Sequence, residues 1–125
     1  MRRFLVGLIF IVVSFLAACG GGGVDASGVD QATLNLGKTV FQANCSACHS
    51  ATSDAVLVGP SLHNIAKWGG DMVTGLDAYQ YIEQSILAPD VFVTEGFQDV
   101  MPKTFPSTLT EKQIDAVILY LLSAN

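Results

Sequence analysis

The run Cys45-Ser46-Ala47-Cys48-His49 constrains this chain more than any other stretch. A C-x-x-C-H run reads as an attachment site for a c-type haem. Two thiols three residues apart on a helical turn point the same way and can add to the two vinyl groups of one porphyrin. The following residue, His49, then lies beneath the ring and offers an imidazole nitrogen to the iron. A zinc site would use such a pair differently: it wants a second Cys or His pair, and His63 stands alone outside the run. A thioredoxin-like dithiol belongs to a βαβ context, and no strand pattern flanks these residues.

The chain has 125 residues, enough for one domain. Its start has a different character from the rest. Met1-Arg2-Arg3 is basic, and residues 4–18 are apolar apart from Gly7 and Ser14. That is the layout of a secretory signal, since about 15 apolar residues fall short of the roughly 20 a membrane span wants. The segment ends Leu16-Ala17-Ala18-Cys19, which resembles the lipobox of bacterial lipoproteins, where the Cys becomes the acylated first residue of the mature chain. The competing reading is an uncleaved anchor helix. Both readings hold the domain at a bilayer, outside the cytoplasmic membrane, on its periplasmic or extracellular side. The three cysteines are then accounted for, Cys19 by lipid and Cys45 and Cys48 by haem, with none left for a disulfide.

Without residues 1–18 the chain keeps four lysines against eleven Asp and Glu, a formal charge of −7 in place of −5. Such a surface seeks neither nucleic acid nor anionic lipid. Residues 20–28 (GGGGVDASG) read as a flexible leash. The expected organisation is a signal peptide at 1–18, a lipidated Cys19 and tether through 29, and a folded domain over 30–125.

Within the domain the apolar spacing is helical. Asp30 is a candidate cap for a first helix running to about Ala43, with Leu34, Gly37 and Phe41 on one face. Gly37 in mid-helix costs up to about 1 kcal/mol relative to Ala, which points to close approach of another helix. A loop over 50–58 leads to Gly59-Pro60-Ser61-Leu62. The Pro60 carbonyl, on a fixed backbone, is the kind of acceptor to which a ligand His gives its other ring N–H. A short helix is expected at 62–67, then a break at Gly69-Gly70. A further helix at 76–87 places Tyr79, Ile82 and Ile86 on one face and is stopped by Pro89. Residues 90–109 read as a long connection, a length more often functional than idle, with Met101-Pro102 inside it. The last helix opens with a capping box, Thr110 with Gln113, and carries the stripe Ile114, Val117, Ile118, Leu121 and Leu122, flanked by Tyr120.

Taken together, Gly37 and Phe41, Cys45-Cys48-His49, Gly59-Pro60-x-Leu62, Met101-Pro102 and Tyr120-Leu121 resemble the class I c-type cytochromes over residues 30–125. The resemblance implies an all-α fold of about four helices around one covalent haem c, with the first and last helices crossing. It implies His49 and Met101 as the two iron ligands and the Pro60 carbonyl as the acceptor for His49. It implies one-electron transfer rather than catalysis, through an iron that keeps both ligands in each oxidation state; His/Met ligation raises the reduction potential. Tyr81-Ile82-x-x-Ser85-Ile86-x-x-Pro89 with Gly96-Phe97 and Met101-Pro102 is similar to cytochrome c domains of membrane oxidase subunits, respiratory complexes and lipoprotein cytochromes. The implied partners are redox proteins of a respiratory or photosynthetic membrane complex and, through Cys19, the bilayer. No lysine ring surrounds the haem motif, unlike mobile mitochondrial-type cytochromes.

Met72 and His63 compete with Met101 for the sixth iron position. Trp68 is read either as covering a haem edge or bonding a propionate, or as a packing residue. The alternative function is a haem enzyme or gas sensor whose sixth position is open.

Overall fold

The computed structural model describes residues 28–124. The expected signal segment, Cys19 and nearly all of the expected tether lie outside the described residues. Five α-helices follow in order: α1 (Gln31–Asn44), α2 (Ile65–Trp68), α3 (Ala78–Leu87), α4 (Phe105–Thr108) and α5 (Glu111–Ser123), with a 3₁₀ turn at Gly69–Asp71 after α2. The described residues contain no strand, so the all-α expectation holds with one short helix more than foreseen.

Each long helix begins at a side-chain cap that satisfies backbone N–H groups left over in the first turn. At α1, Asp30 accepts from the Thr33 N–H at 3.0 Å and from its hydroxyl at 2.8 Å. These bonds hold the Asp30 carboxyl below its ordinary pKa. At α5 the capping box read from sequence is present: the Thr110 N–H donates to Gln113 Oε1 at 2.9 Å and the Gln113 N–H donates back to the Thr110 hydroxyl. A second box opens α3, where Asp77 and Gln80 exchange bonds of 2.8 and 3.0 Å. That box sets the helix start at Ala78 rather than at 76, because the capping residue itself is extended, with φ −81° and ψ 176°.

The stripe on α5 is buried throughout. Fully burying a side chain of this kind is worth about 1.5–3 kcal/mol, so this helix is the spine of the core. Its broadest contact is with α1, and the two meet at Gly37. A Cβ built there falls 2.6 Å from Tyr120 Cβ and from the Ala116 carbonyl carbon. Ala116 lies off the predicted stripe yet is buried, since it faces that glycine. One turn along, the Phe41 and Tyr120 rings pack at 5.8 Å between centroids. The tyrosine hydroxyl of Tyr79 then ties α3 to α5, donating to Asp115 Oδ1 at 2.8 Å.

Three boundaries differ from the sequence expectation. The short helix starts at Ile65 and not at 62, because Asn64 sits in the left-handed region (φ 56°, ψ 26°) and interrupts any helix before it. Gly69-Gly70 does not break the chain but winds it into the 3₁₀ turn, where Gly69 is pressed against Ala78. The long connection is not wholly irregular: α4 forms at its end and buries Phe105.

Candidate cofactor site

The attachment run is a direct continuation of α1. The Cys45 N–H donates to the Phe41 carbonyl at 2.8 Å, and the N–H groups of Cys48 and His49 both donate to the Cys45 carbonyl, at 3.0 and 2.9 Å. Both thiols and the imidazole thereby line one cleft. The segment after it is tied alongside by two backbone bonds, Gly59 N–H to the Cys48 carbonyl at 2.9 Å and Leu62 N–H to the Ser50 carbonyl at 2.7 Å. Between these two ties lies Pro60, which has no N–H to leave unsatisfied.

The Pro60 carbonyl oxygen stands 2.8 Å from Nδ1 of His49. A carbonyl can only accept, so the proton resides on Nδ1. That fixes the tautomer and leaves the lone pair on Nε2, the state of an imidazole that an outer acceptor orients and makes more basic for a metal.

The cleft encloses about 1160 Å³ of space counted out to its open mouth. Its walls are largely apolar: Leu62, Ile65, Ile82, Ile86, Val117 and Leu121 come from three helices and the turn before them. Met101 lines the same cleft from the long connection, together with Phe92 and Phe97. Met72 and His63 do not line it. Met72 packs against the core, and His63 Nδ1 lies 2.9 Å from Asp54 Oδ1. Trp68 is likewise outside the cleft; its indole N–H donates to the His63 carbonyl at 2.9 Å and its ring meets Tyr81 edge-on. Of its two readings, packing is the one the geometry supports.

Burial pushes the Cys45 thiol up to about 11, with the charge of Cys48 adding to the shift. A disulfide-exchanging dithiol works in the opposite direction, with a lowered thiol pKa. Cys45 therefore lacks the lowered thiol pKa of such a dithiol. Two thiols on one cleft wall, an imidazole held by the Pro60 carbonyl and an apolar slot fit a covalently attached haem.

A sequence model of the cytochrome c family matches residues 34–125. The chain belongs to the cytochrome c family. It carries one covalent haem c, bound through Cys45 and Cys48, and serves electron transfer. Among its relatives is cytochrome c-555 of Prosthecochloris aestuarii, 31% identical over 101 residues that cover 80% of this chain and 96% of that protein. Another is the Cbb3-type cytochrome c oxidase subunit CcoP of Azospirillum sp. (strain B510), 32% identical over 118 residues. That match covers 89% of this chain but only 38% of the subunit's length.

Some contributors to the cytochrome's site had no role assigned from sequence, and Gly59, Tyr81, Ser85 and Phe97 entered only as motif residues of the resemblance. Gly59 was read as a turn residue and as part of the Gly59-Pro60-x-Leu62 motif, and its missing side chain makes room for the His49 ring. Tyr81 is buried and lines the cleft, one residue off the face drawn through Tyr79, Ile82 and Ile86. Its signal was the Tyr81-x-x-x-Ser85 pair: both residues face the cleft, and the Ser85 hydroxyl donates to the Tyr81 carbonyl at 2.8 Å. Phe92 and Phe97 carried no periodic signal.

Proposed function

We propose that this cytochrome is a one-electron relay with His49 and Met101 as iron ligands, tethered to a bilayer through an acylated Cys19. The observation that carries the reading is the sharing of one apolar cleft by a fixed His49 and Met101. When bound, haem c supplies a one-electron iron couple. The chain's own residues do the rest. Pro60 holds the His49 ring, and the thioether cysteines fix the cofactor's position. Met101 brings a soft thioether donor, and the aliphatic walls exclude water, conditions that favour the reduced, less charged centre. A fixed ligand pair keeps geometry similar in both oxidation states.

The lipobox-like Leu16-Ala17-Ala18-Cys19 supports a lipoprotein on the periplasmic or extracellular side, with residues 20–28 as leash. Similarity to an oxidase subunit and to a cytochrome c-555 supports work within or beside a membrane electron-transfer complex, with redox proteins as partners. Replacement of Met101 tests the relay directly. Met101→Ala lowers the reduction potential by roughly 0.1–0.3 V, within the ~0.8 V span that axial ligands set, and opens the iron to carbon monoxide. An unchanged potential with six-coordinate iron in that variant removes Met101 from the ligand set. Ready carbon monoxide binding by the parent protein favours an enzyme or gas sensor instead.

A further inference from the structure

Three serines outside the cleft close a hydrogen-bonded circuit that begins and ends at His49. The imidazole Nδ1–H donates to the Pro60 carbonyl at 2.8 Å. That carbonyl belongs to the rigid peptide unit between Pro60 and Ser61. The Ser61 hydroxyl donates to the Ser53 carbonyl at 2.8 Å and accepts the His63 N–H at 3.1 Å. Ser53 is held in turn: its N–H donates to the Ser50 hydroxyl at 3.2 Å, and the Ser50 and Ser53 hydroxyls lie 2.8 Å apart. Ser50 follows His49 in the chain, so the path returns to the residue where it started. None of the three serines lines the cleft.

We propose, on the reading of His49 as an iron ligand, that Ser61, locked by Ser53 and Ser50, is a positioning residue: it aims the Pro60 carbonyl at Nδ1 and so sets how strongly the imidazole binds iron. The backbone bonds on either side of the acceptor, from Gly59 to Cys48 and from Leu62 to Ser50, fix where the segment lies. They leave the Pro60–Ser61 peptide plane one soft rotation, through ψ of Pro60 and φ of Ser61, since the proline ring already fixes its own φ. Anchoring the Ser61 hydroxyl at two bonds removes that rotation. A carbonyl aimed at Nδ1–H makes Nε2 a stronger donor, which favours ferric iron. A carbonyl that drifts weakens the bond and favours ferrous iron. The neighbouring Asp54–His63 pair joins the same two stretches, but the Asp54 side chain is 93% exposed. Solvent screens that pair, and it stands further along the chain from the acceptor than Ser61 does.

The test uses the full-length, haem-loaded protein in non-ionic detergent, with a redox titration and, in the ferrous state, nuclear magnetic resonance of the His49 ring. Ser61→Ala is expected to speed solvent exchange of the Nδ1 proton about two- to tenfold, the effect of losing one ordinary hydrogen bond from its support. The reduction potential is expected to rise by roughly 20–60 mV, a two- to tenfold shift of the one-electron equilibrium. Ser50→Ala acts in the same direction. Ser61→Thr, which keeps the hydroxyl, returns both readings to those of the parent. The double variant Ser50→Ala with Ser61→Ala shows no more than the larger single effect, because both changes break one circuit. Ser123→Ala removes a like bond, to the Tyr120 carbonyl at the far end of α5, and leaves both readings unchanged. An unchanged exchange rate and potential in Ser61→Ala overturn the proposal. So does a lowered potential, the mark of water reaching the iron. So, too, do additive shifts in the double variant, which make the serines separate local supports. A ferrous parent whose His49 ring protons lack the upfield shift imposed by the haem ring current is a different result, and it removes the ligand reading itself.

Discussion

Gly59 lies against the imidazole of His49: a Cβ placed on it comes within 2.9 Å of both ring nitrogens, and closer still to Cε1. The next residue, Pro60, accepts the Nδ1 proton of the same ring at 2.8 Å. Two successive residues therefore hold the imidazole, one by what it lacks and one by its carbonyl. Gly59→Ala is expected to displace the ring and to cost about 1–3 kcal/mol, the usual range for overpacking. Thermal unfolding of the haem-loaded variant, with its Soret circular dichroism, measures both effects.

The same logic applies at Gly37. Ala is the better helix former by about 1 kcal/mol, yet its methyl group meets the Ala116 backbone and Tyr120. The overlap with backbone dominates, so Gly37→Ala is expected to destabilise the protein by about 2 kcal/mol net. Denaturant unfolding followed at the haem absorbance reads the midpoint shift. A stabilised variant means that α1 and α5 can slide apart without loss.

Tyr79 gives a pH signature. Burial, its bond to Asp115 and the charges of Asp115 and Glu83 push its hydroxyl up to about 12 from an ordinary 10. The folded state thus binds this proton more tightly than the unfolded state. Its contribution is fully present below pH 10 and is lost as pH rises towards 12. Tyr79→Phe removes that alkaline loss together with one hydrogen bond worth about 1 kcal/mol. Stability curves of parent and variant are expected to converge above that window. Parallel curves throughout contradict the assignment.

What could be read in the sequence divides along physical lines. The thiol pair, His49, the α5 stripe and the Thr110 capping box are local patterns whose spacing fixes geometry within one or two turns, and each has its structural counterpart. Gly37 was legible because a glycine inside a helical pattern carries a cost that tertiary contact must offset. The burial of Tyr81, named only as a motif residue, and the α4 turn were not, because both depend on what the cleft places opposite them. The left-handed Asn64 was hidden for a related reason: asparagine tolerates that conformation without announcing it. Gly59 was visible as a turn residue, but its role under His49 required the approach of two chain segments.

The proposed membrane tether is tested at Cys19. Cys19→Ala is expected to move the haem protein from the membrane fraction to the soluble one after cell fractionation. Retention on membranes instead favours an uncleaved anchor helix or tight attachment to a complex.

The central claim is a haem iron closed by His49 and Met101. Optical spectra of the haem-loaded protein, oxidised, reduced, and reduced under carbon monoxide, test it most directly. The expected result is a low-spin haem in both oxidation states, with the weak red charge-transfer band of methionine-ligated ferric iron and no shift under carbon monoxide. A high-spin spectrum, or ready carbon monoxide binding, contradicts it and marks the sixth position as open to a substrate.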